Sequence, residues 1–215
     1  MKFIHFWLIV TSMLSISTTP LRPAAPDPLP EVSIGLMDAV VGVNSQTGTP
    51  SGWYTSDVTL HILTPADVLA NGKLLPDGQL TISDEGQHQV ELQPGSAGQD
   101  NLVTQFVNID KTPPAVTWIT EQNSTVSGDA TLNAEVTDQV SGICRIQASF
   151  DHGRSWESQD FPAPIMGESG SIQHTTWSAD LGSREFSSKA QVVLLRAQDC
   201  AGNVSPGELL VFRVQ

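Results

Sequence analysis

The sequence is short of basic residues and lacks the motifs that mark common enzyme classes. Lysine and arginine number 10 against 23 aspartates and glutamates, which gives a formal net charge of −13. Such a surface repels a phosphate backbone, so nucleic acid is excluded as the expected partner. There is no H-E-x-x-H zinc motif, no G-x-S-x-G nucleophile turn and no phosphate-binding loop, and the histidines are scattered. We therefore predict no catalytic residue and no enzyme activity.

Export is predicted from the first residues. Lys2 precedes a mostly apolar stretch at residues 3–16, and small residues and prolines follow. This is the pattern of a secretory signal peptide, too short to cross a bilayer of ~30 Å as a helix. We assign residues 1–25 to the signal peptide and the start of a proline-rich spacer that continues to residue 30. An uncleaved N-terminal anchor is the alternative. After cleavage we expect no integral membrane span, and a protein that is secreted or held at the cell surface.

Beyond the spacer the sequence has no long apolar pattern with the helical period of 3.6 residues. Short runs with β-branched alternation are separated by Gly, Pro, Asn or Asp instead. They predict strands at residues 58–63, 79–82, 88–92, 102–109, 115–119, 130–136, 143–150, 156–159, 172–179, 190–198 and 209–214. Pro113 and Pro114 cannot lie inside a sheet, so they mark a boundary between a domain at 31–112 and one at 113–215. The predicted fold class is all-β, with two tandem immunoglobulin-like β-sandwiches.

Three short segments carry a family resemblance. They are residues 52–60 (GWYTSDVTL), 109–114 (IDKTPP) and 199–203 (DCAGN). The chain resembles the tandem bacterial immunoglobulin-like repeats of secreted and cell-surface proteins, which are often appended to glycoside hydrolases. These motifs are turn and linker signatures, so they imply a fold and a spacing or binding role without naming a ligand. The first domain departs from the repeat at residues 69–78 and 95–101, where the usual turn sequences are missing.

The resemblance implies a disulfide between the only two cysteines. In such a sandwich Cys144 begins the third strand of the second domain and Cys200 follows the sixth, and these two strands are neighbours in one sheet. Export with two cysteines supports a bond between them. Cys200 is out of phase with the inward-facing residues of the sixth strand, so the pairing requires that strand to end before Cys200.

The same arrangement would gather two acidic loops at one end of the sandwich, where immunoglobulin-type folds present binding loops. Asp138, Asp199 and Asn203 are candidate oxygen ligands for calcium. Their side chains also favour hydrogen bonds to their own turns, and calcium requires six or more oxygens. We favour the turn interpretation, with calcium or a protein interface as the alternatives.

Residues 149–156 (SFDHGRSW) contain the strongest enzyme-like motif. They resemble the Asp-box hairpin of sialidase propellers, and also a hairpin of immunoglobulin-like accessory domains. One copy cannot build a propeller, whose blades need about four strands each. We therefore predict a structural hairpin, with Asp151 and Gly153 in the turn and Trp156 packed over it.

Two adjacent aromatic residues, Trp53 and Tyr54, are the candidate ligand contact, because neighbours in a strand point to opposite faces. The predicted function is that of an exported, non-catalytic spacer or adhesive element whose partner is a cell-surface protein or a polysaccharide. The alternative is a carbohydrate-binding accessory protein for a secreted glycoside hydrolase. A hydrolase comes third, because paired carboxylates are assembled by a fold and leave no sequence motif.

Overall fold

The structure is a computed structural model that describes residues 34–37, 41–43, 50–62, 68–75, 77–94, 102–163, 172–186 and 190–215. The predicted signal peptide and spacer, residues 1–30, lie outside the described residues. The described residues are all-β, with strands and turns and no helix. In that part of the chain, no helix has the length and hydropathy of a membrane-spanning segment.

The described residues form seventeen strands. In chain order they are β1 (Ile34–Met37), β2 (Val41–Val43), β3 (Pro50–Tyr54), β4 (Val58–Ile62), β5 (Val68–Ala70), β6 (Lys73–Leu75), β7 (Gln79–Ile82), β8 (Gly86–Pro94), β9 (Val103–Ile109), β10 (Ala115–Trp118), β11 (Ser124–Val126), β12 (Thr131–Thr137), β13 (Ile143–Ser149), β14 (Glu157–Asp160), β15 (His174–Asp180), β16 (Ala190–Asp199) and β17 (Glu208–Val214). Every strand predicted from the sequence has a counterpart among them.

The strands belong to two compact units. The first contains the described residues within Met1–Asp38, Val58–Ile82 and Gln89–Phe106. Its centre is β4, which pairs antiparallel with β1 and β7. Along β4, buried and half-buried residues alternate, so one face of the strand points inward. Strand β5 pairs antiparallel with β6 and with the last residues of β8.

The second unit contains the described residues within Ala39–Asp57, Ser83–His88 and Val107–Gln215. Its main body is a β-sandwich of two sheets, with strand orders β10-β12-β15 and β11-β17-β16-β13-β14. This is the architecture of an immunoglobulin-like domain. Earlier segments join the same unit: β2 pairs with β3, and Tyr54 at the end of β3 lies opposite Ile109 at the end of β9. The predicted domain ranges, 31–112 and 113–215, stay predictions.

The core of the sandwich lies between its two sheets. Buried residues alternate with exposed or half-buried residues along β12, β13 and β16, as expected for strands with one face against a core. The fully enclosed side chains include Leu132 from one sheet and Ile146, Leu195 and Phe212 from the other. Trp177 on β15 completes the core, with Trp118 packed edge-on against it at a centroid distance of 5.8 Å.

Two details differ from the sequence prediction. Strand β11 is absent from the predicted strands, because its three residues are too few to show alternation; it pairs parallel with the end of β17. The alternation along β13 predicts that Ser149 faces water, yet it is only 1% exposed. The hairpin that follows turns back over it, and the Ser149 hydroxyl donates to Oδ1 of Asp151 at 2.8 Å and accepts from Gly153 N–H at 2.7 Å.

Candidate functional site

Two loops lie side by side at one end of the sandwich. The Asp138 loop (residues 138–142) joins β12 to β13, and the Asp199 loop (residues 199–205) follows β16. Strands β13 and β16 are antiparallel neighbours, with Ile143 opposite Asp199, so the loops leave the sheet together. A disulfide joins Cys144 to Cys200, with the Cα atoms 4.9 Å apart. The predicted pairing is confirmed, and β16 ends at Asp199, directly before Cys200, as the pairing requires.

Backbone hydrogen bonds reinforce this covalent connection. The N–H of Cys200 donates to the carbonyl of Gly142 at 2.8 Å, and the N–H of Ala201 donates to the Ser141 hydroxyl at 3.0 Å. Gly142 has a φ of 84°, a conformation that is costly for residues with a side chain. Gly142 therefore allows the Asp138 loop to turn back beside the Asp199 loop.

Asp138 and Asp199 each hold the turn that follows them. Oδ1 of Asp138 accepts hydrogen bonds from the N–H groups of Val140 at 3.1 Å and Gly142 at 2.6 Å. Oδ1 of Asp199 accepts from the N–H groups of Gly202 at 2.7 Å and Asn203 at 2.8 Å. These hydrogen bonds are the ones that the turn interpretation predicts, and the choice between a turn role and calcium stays a prediction.

Asn203 enters the site as a hydrogen-bond donor. Its side-chain amide nitrogen donates to Oδ2 of Asp199 at 2.8 Å and to the backbone carbonyl of Asp110 at 3.0 Å. In this arrangement the nitrogen, and not the oxygen expected of a calcium ligand, points at the acidic side chains. Asn203 therefore partly offsets the negative charge of its neighbours.

Asp110 is a site residue that the sequence interpretation missed. The sequence around it is that of a linker, yet its side chain is completely buried beside the two loops. Its Oδ2 accepts a hydrogen bond from Ser141 N–H at 2.9 Å, and its Oδ1 accepts from Thr112 N–H at 3.1 Å. The D-K-T-P-P signature contained the signal, because an aspartate two residues before a threonine can cap that turn.

The three aspartates form a buried carboxylate cluster. Asp110, Asp138 and Asp199 are 0%, 4% and 1% exposed, and each places one carboxylate oxygen within 4.8 Å of the others. Among the described residues, no lysine, arginine or histidine donates a hydrogen bond to any of the three. Asp138 and Asp199, with little solvent and no basic partner, cannot both ionise without cost.

Burial changes the acidity of two members of the carboxylate cluster. It raises the pKa of Asp138, although the N–H of Gly142 opposes the shift. Burial also raises the pKa of Asp199 to about 7, with the Asp110 charge adding to the rise and the Asn203 amide opposing it. At neutral pH, Asp199 is therefore shared between its protonated and ionised forms.

The linker next to Asp110 is held in place as well. The Lys111 ammonium group donates to Oδ1 of Asp57 at 2.9 Å and to the carbonyl of Ser83 at 2.7 Å. The Thr112 hydroxyl donates to the Glu85 carboxylate at 2.9 Å. Lys111, the basic residue nearest to Asp110 in the sequence, thus pairs with the carboxylate of Asp57.

Removing the Asn203 amide is expected to destabilise the second unit. In Asn203→Ala, Oδ2 of Asp199 and the Asp110 carbonyl both lose their donor, which we expect to lower the free energy of unfolding by about 2 kcal/mol. Chemical denaturation of the variant and the wild type measures this. Val204→Ala is the matched control, since that neighbouring side chain is 47% exposed. Equal losses in the two variants would contradict a bracing role for Asn203.

Residues 149–156 form the predicted hairpin between β13 and β14. His152 and Gly153 have φ values of 62° and 83°, the positive angles of a type I′ turn. Asp151 accepts hydrogen bonds from the N–H and the hydroxyl of Ser155 at 2.8 and 2.5 Å. Trp156 lies under the Arg196 guanidinium group, 4.1 Å from the ring centre. The side chains of Ser149, Asp151 and Ser155 are thus engaged in holding the turn.

The hydrogen bonds to Asp151 predict an acidic titration. The Ser155 hydroxyl and N–H and the Ser149 hydroxyl lower the pKa of Asp151 to about 2. Carboxyl chemical shifts followed by NMR should place its midpoint near pH 2, and Ser155→Ala should raise that midpoint. A midpoint near the ordinary value of about 4 would mean that the hairpin bonds do not form in solution.

The two candidate aromatic contacts have different environments. Trp53 is buried, with 6% exposure, so its ring faces the interior. Tyr54 is half-buried, and burial raises the pKa of its phenol. Its backbone carbonyl accepts a hydrogen bond from the N–H of Asp110 at 2.9 Å. Of the pair, only Tyr54 offers ring surface to a ligand without rearrangement.

The carboxylate cluster brings together three oxygens of the kind that calcium binds. Of its six carboxylate oxygens, only Oδ2 of Asp138 accepts no hydrogen bond from the described residues. Calcium takes six to eight oxygens and tolerates irregular geometry. Asp110, Asp138 and Asp199 would be the protein ligands, and water would have to complete the shell. The same oxygens are equally suited to share protons.

No known family model and no curated protein matches the sequence. Among solved structures, the chain is similar to the fibronectin(III)-like modules of CbhA from Clostridium thermocellum, with 13% identity, coverage of 85% of this chain and 94% of that chain, and a TM-score of 0.33. It is also similar to the paired immunoglobulin domains of DIP-gamma, with 14% identity, coverage of 86% and 89%, and a TM-score of 0.30. A chimeric titin Z1Z2 tandem matches with 13% identity, coverage of 74% and 88%, and a TM-score of 0.27. The assignment of an immunoglobulin-like sandwich rests on the strand order itself.

Proposed function

We propose that the protein is an exported, non-catalytic module that acts as an extracellular spacer or as an adhesive, protein-binding element. The observation that carries this proposal is the disulfide between Cys144 and Cys200 in an immunoglobulin-like sandwich. Disulfides persist in oxidising compartments and are rare in the reducing cytosol. Sandwich domains of this kind serve mainly as scaffolds that present loops at their ends.

The side chains at the loop end support a binding or spacing role over a catalytic one. The carboxylates of Asp138 and Asp199 accept hydrogen bonds from their own turns, and Asn203 bonds to Asp199. All three carboxylates of the carboxylate cluster are almost completely buried, so a substrate could reach them only after the loops open. These groups maintain the shape of the surface that the two loops present.

We propose that protons and hydrogen bonds, and not calcium, balance the charge of the carboxylate cluster. The raised pKa of Asp199 and the donation from Asn203 favour this state. Calcium remains the alternative, with Asp110 added to the predicted ligands. Calorimetric titration of the chelator-treated protein with calcium at pH 8 distinguishes the two. Heat that saturates at one ion per chain, and is lost in Asp138→Asn, would establish the calcium site and refute the proton proposal.

A binding screen tests the proposed function. The purified, oxidised protein is tested against cell-envelope fractions and polysaccharides, in calcium and in chelator, beside the variant Tyr54→Ala. Saturable binding to a protein component, unchanged in Tyr54→Ala, supports the adhesive role, and no binding leaves the spacer role. Saturable binding to a polysaccharide that is lost in Tyr54→Ala would establish the carbohydrate-binding alternative. Turnover of any glycan, abolished by one carboxylate substitution, would contradict the proposal altogether.

A further inference from the structure

The disulfide lies beside the buried carboxylate cluster. Cys200 directly follows Asp199, and Cys144 is separated from the Asp138 loop by Ile143. The three carboxylates of the carboxylate cluster lie within 4.8 Å of one another. The charge of Glu85 also acts on Asp138. When these groups are ionised, the electrostatic force drives the two loops apart.

The size of this repulsion makes it relevant to loop opening. Two unit charges about 5 Å apart change an opening equilibrium by roughly fourfold at the dielectric constant of water, and by roughly several hundredfold at the effective value for protein interiors. The loops are held by the N–H of Cys200 on Gly142, the N–H of Ala201 on Ser141, the bonds from Ser141 and Asn203 to Asp110, and the disulfide. Each hydrogen bond contributes little net stability, so the disulfide is the strongest single restraint against the repulsion.

Opening the loop end does not require the core to open. The hydrophobic core of the sandwich is built from other residues, such as Leu132, Ile146, Leu195 and Phe212, and includes neither cysteine. The loops could therefore separate while these residues keep their apolar contacts.

We propose that the Cys144–Cys200 disulfide is a redox-sensitive clamp that holds the Asp138 and Asp199 loops closed against the repulsion of their ionised carboxylates, and that its reduction opens these loops while the sandwich core stays folded. The reductant is a dithiol. Its thiolate attacks one sulfur, its second thiol resolves the mixed disulfide, and two electrons and two protons pass to the cysteines. The protein gains two thiols, and the dithiol becomes a disulfide.

The rate of reduction tests the repulsion. Cys144 and Cys200 are 2% and 4% exposed, so the loops must open before a dithiol can attack. We measure the reduction rate at pH 8 in chelator under a fixed dithiol concentration. Asp138→Asn removes one charge, keeps the acceptor Oδ1 and loses no hydrogen bond at Oδ2. It should slow reduction by about tenfold or more.

Asp129→Asn is the matched control, because it removes an exposed carboxylate at the other end of β12. Its reduction rate should equal that of the wild type. Equal rates in Asp138→Asn and Asp129→Asn, or faster reduction of Asp138→Asn, would overturn the proposal.

Hydrogen exchange tests where the reduced protein opens. In the reduced wild type, the amides of Gly142, Cys200 and Ala201 should exchange at least about tenfold faster than in the oxidised protein. Amides in the middle of β12 and β16 should keep their protection. Unchanged exchange in the loops would overturn the clamp, and loss of protection throughout the sandwich would show that the disulfide maintains the whole fold.

Discussion

Replacing both cysteines, Cys144→Ala with Cys200→Ala, is expected to lower the free energy of unfolding by about 4 kcal/mol. The bond joins residues that are 56 positions apart, so it removes much of the conformational freedom of the unfolded chain. Its geometry fits the native strands, since the Cα separation of 4.9 Å lies within the ordinary range for disulfides. Denaturant titration followed by circular dichroism measures the loss.

Reduced and alkylated wild type is the chemical control for this variant. It should show a loss of similar size, because both treatments remove the same cross-link. A variant as stable as the oxidised wild type would contradict the account, because the cross-link would then restrain nothing in the unfolded chain. A loss far above about 5 kcal/mol would mean that the substitution damages packing beyond the cross-link.

The second large effect is a fall in stability as pH rises from 4.5 to 8. The pKa of Asp199 is raised from 3.8 to about 7 in the folded protein, so the folded state holds a proton that the unfolded state releases. The stabilisation from this proton is complete below the unfolded pKa and is lost as pH rises through about 7. A pKa rise of this size corresponds to at most roughly 4 kcal/mol of stability. The raised pKa of Asp138 acts in the same direction.

Denaturant titrations at intervals of pH measure this effect. Asp57 and Asp151 have lowered pKa values, so their contribution to the stability of the protein is lost in more acidic solution. Starting the titrations at pH 4.5 limits this opposite effect. Asp199→Asn should remove most of the fall, and Asp129→Asn should leave it unchanged. A stability that stays constant or rises between pH 5 and 8 would show that the carboxylate cluster is balanced by something other than protons.

The strands of the sandwich could be predicted because apolar and polar residues alternate in the sequence as buried and exposed positions alternate along a strand. Leu132, Ala134 and Val136 share one face of β12, and all three are completely buried. Strand β11 could not be found in this way, because its three residues are defined by pairing with β17 and not by a pattern of their own. Local alternation therefore identifies the strands that build the core, and tertiary pairing determines the rest.

Three of the four residues of the loop site could be predicted, and the fourth could not for a physical reason. Asp138 and Asp199 could be found because each begins a turn next to a cysteine, and antiparallel strands bring those turns together. Asp110 was missed because its neighbours in the sequence form a linker, and only the fold carries its side chain between the loops. The orientation of the Asn203 side chain could not be predicted, because the sequence does not show which end of its amide faces the acidic groups.

The most direct test of an exported, cross-linked module is the intact mass of the protein recovered from outside its producing cells, after alkylation of free thiols without prior reduction. The proposal predicts a chain that lacks its leader and carries no alkyl group, because Cys144 and Cys200 are joined. A full-length chain found only inside the cells, with both cysteines alkylated, would contradict it.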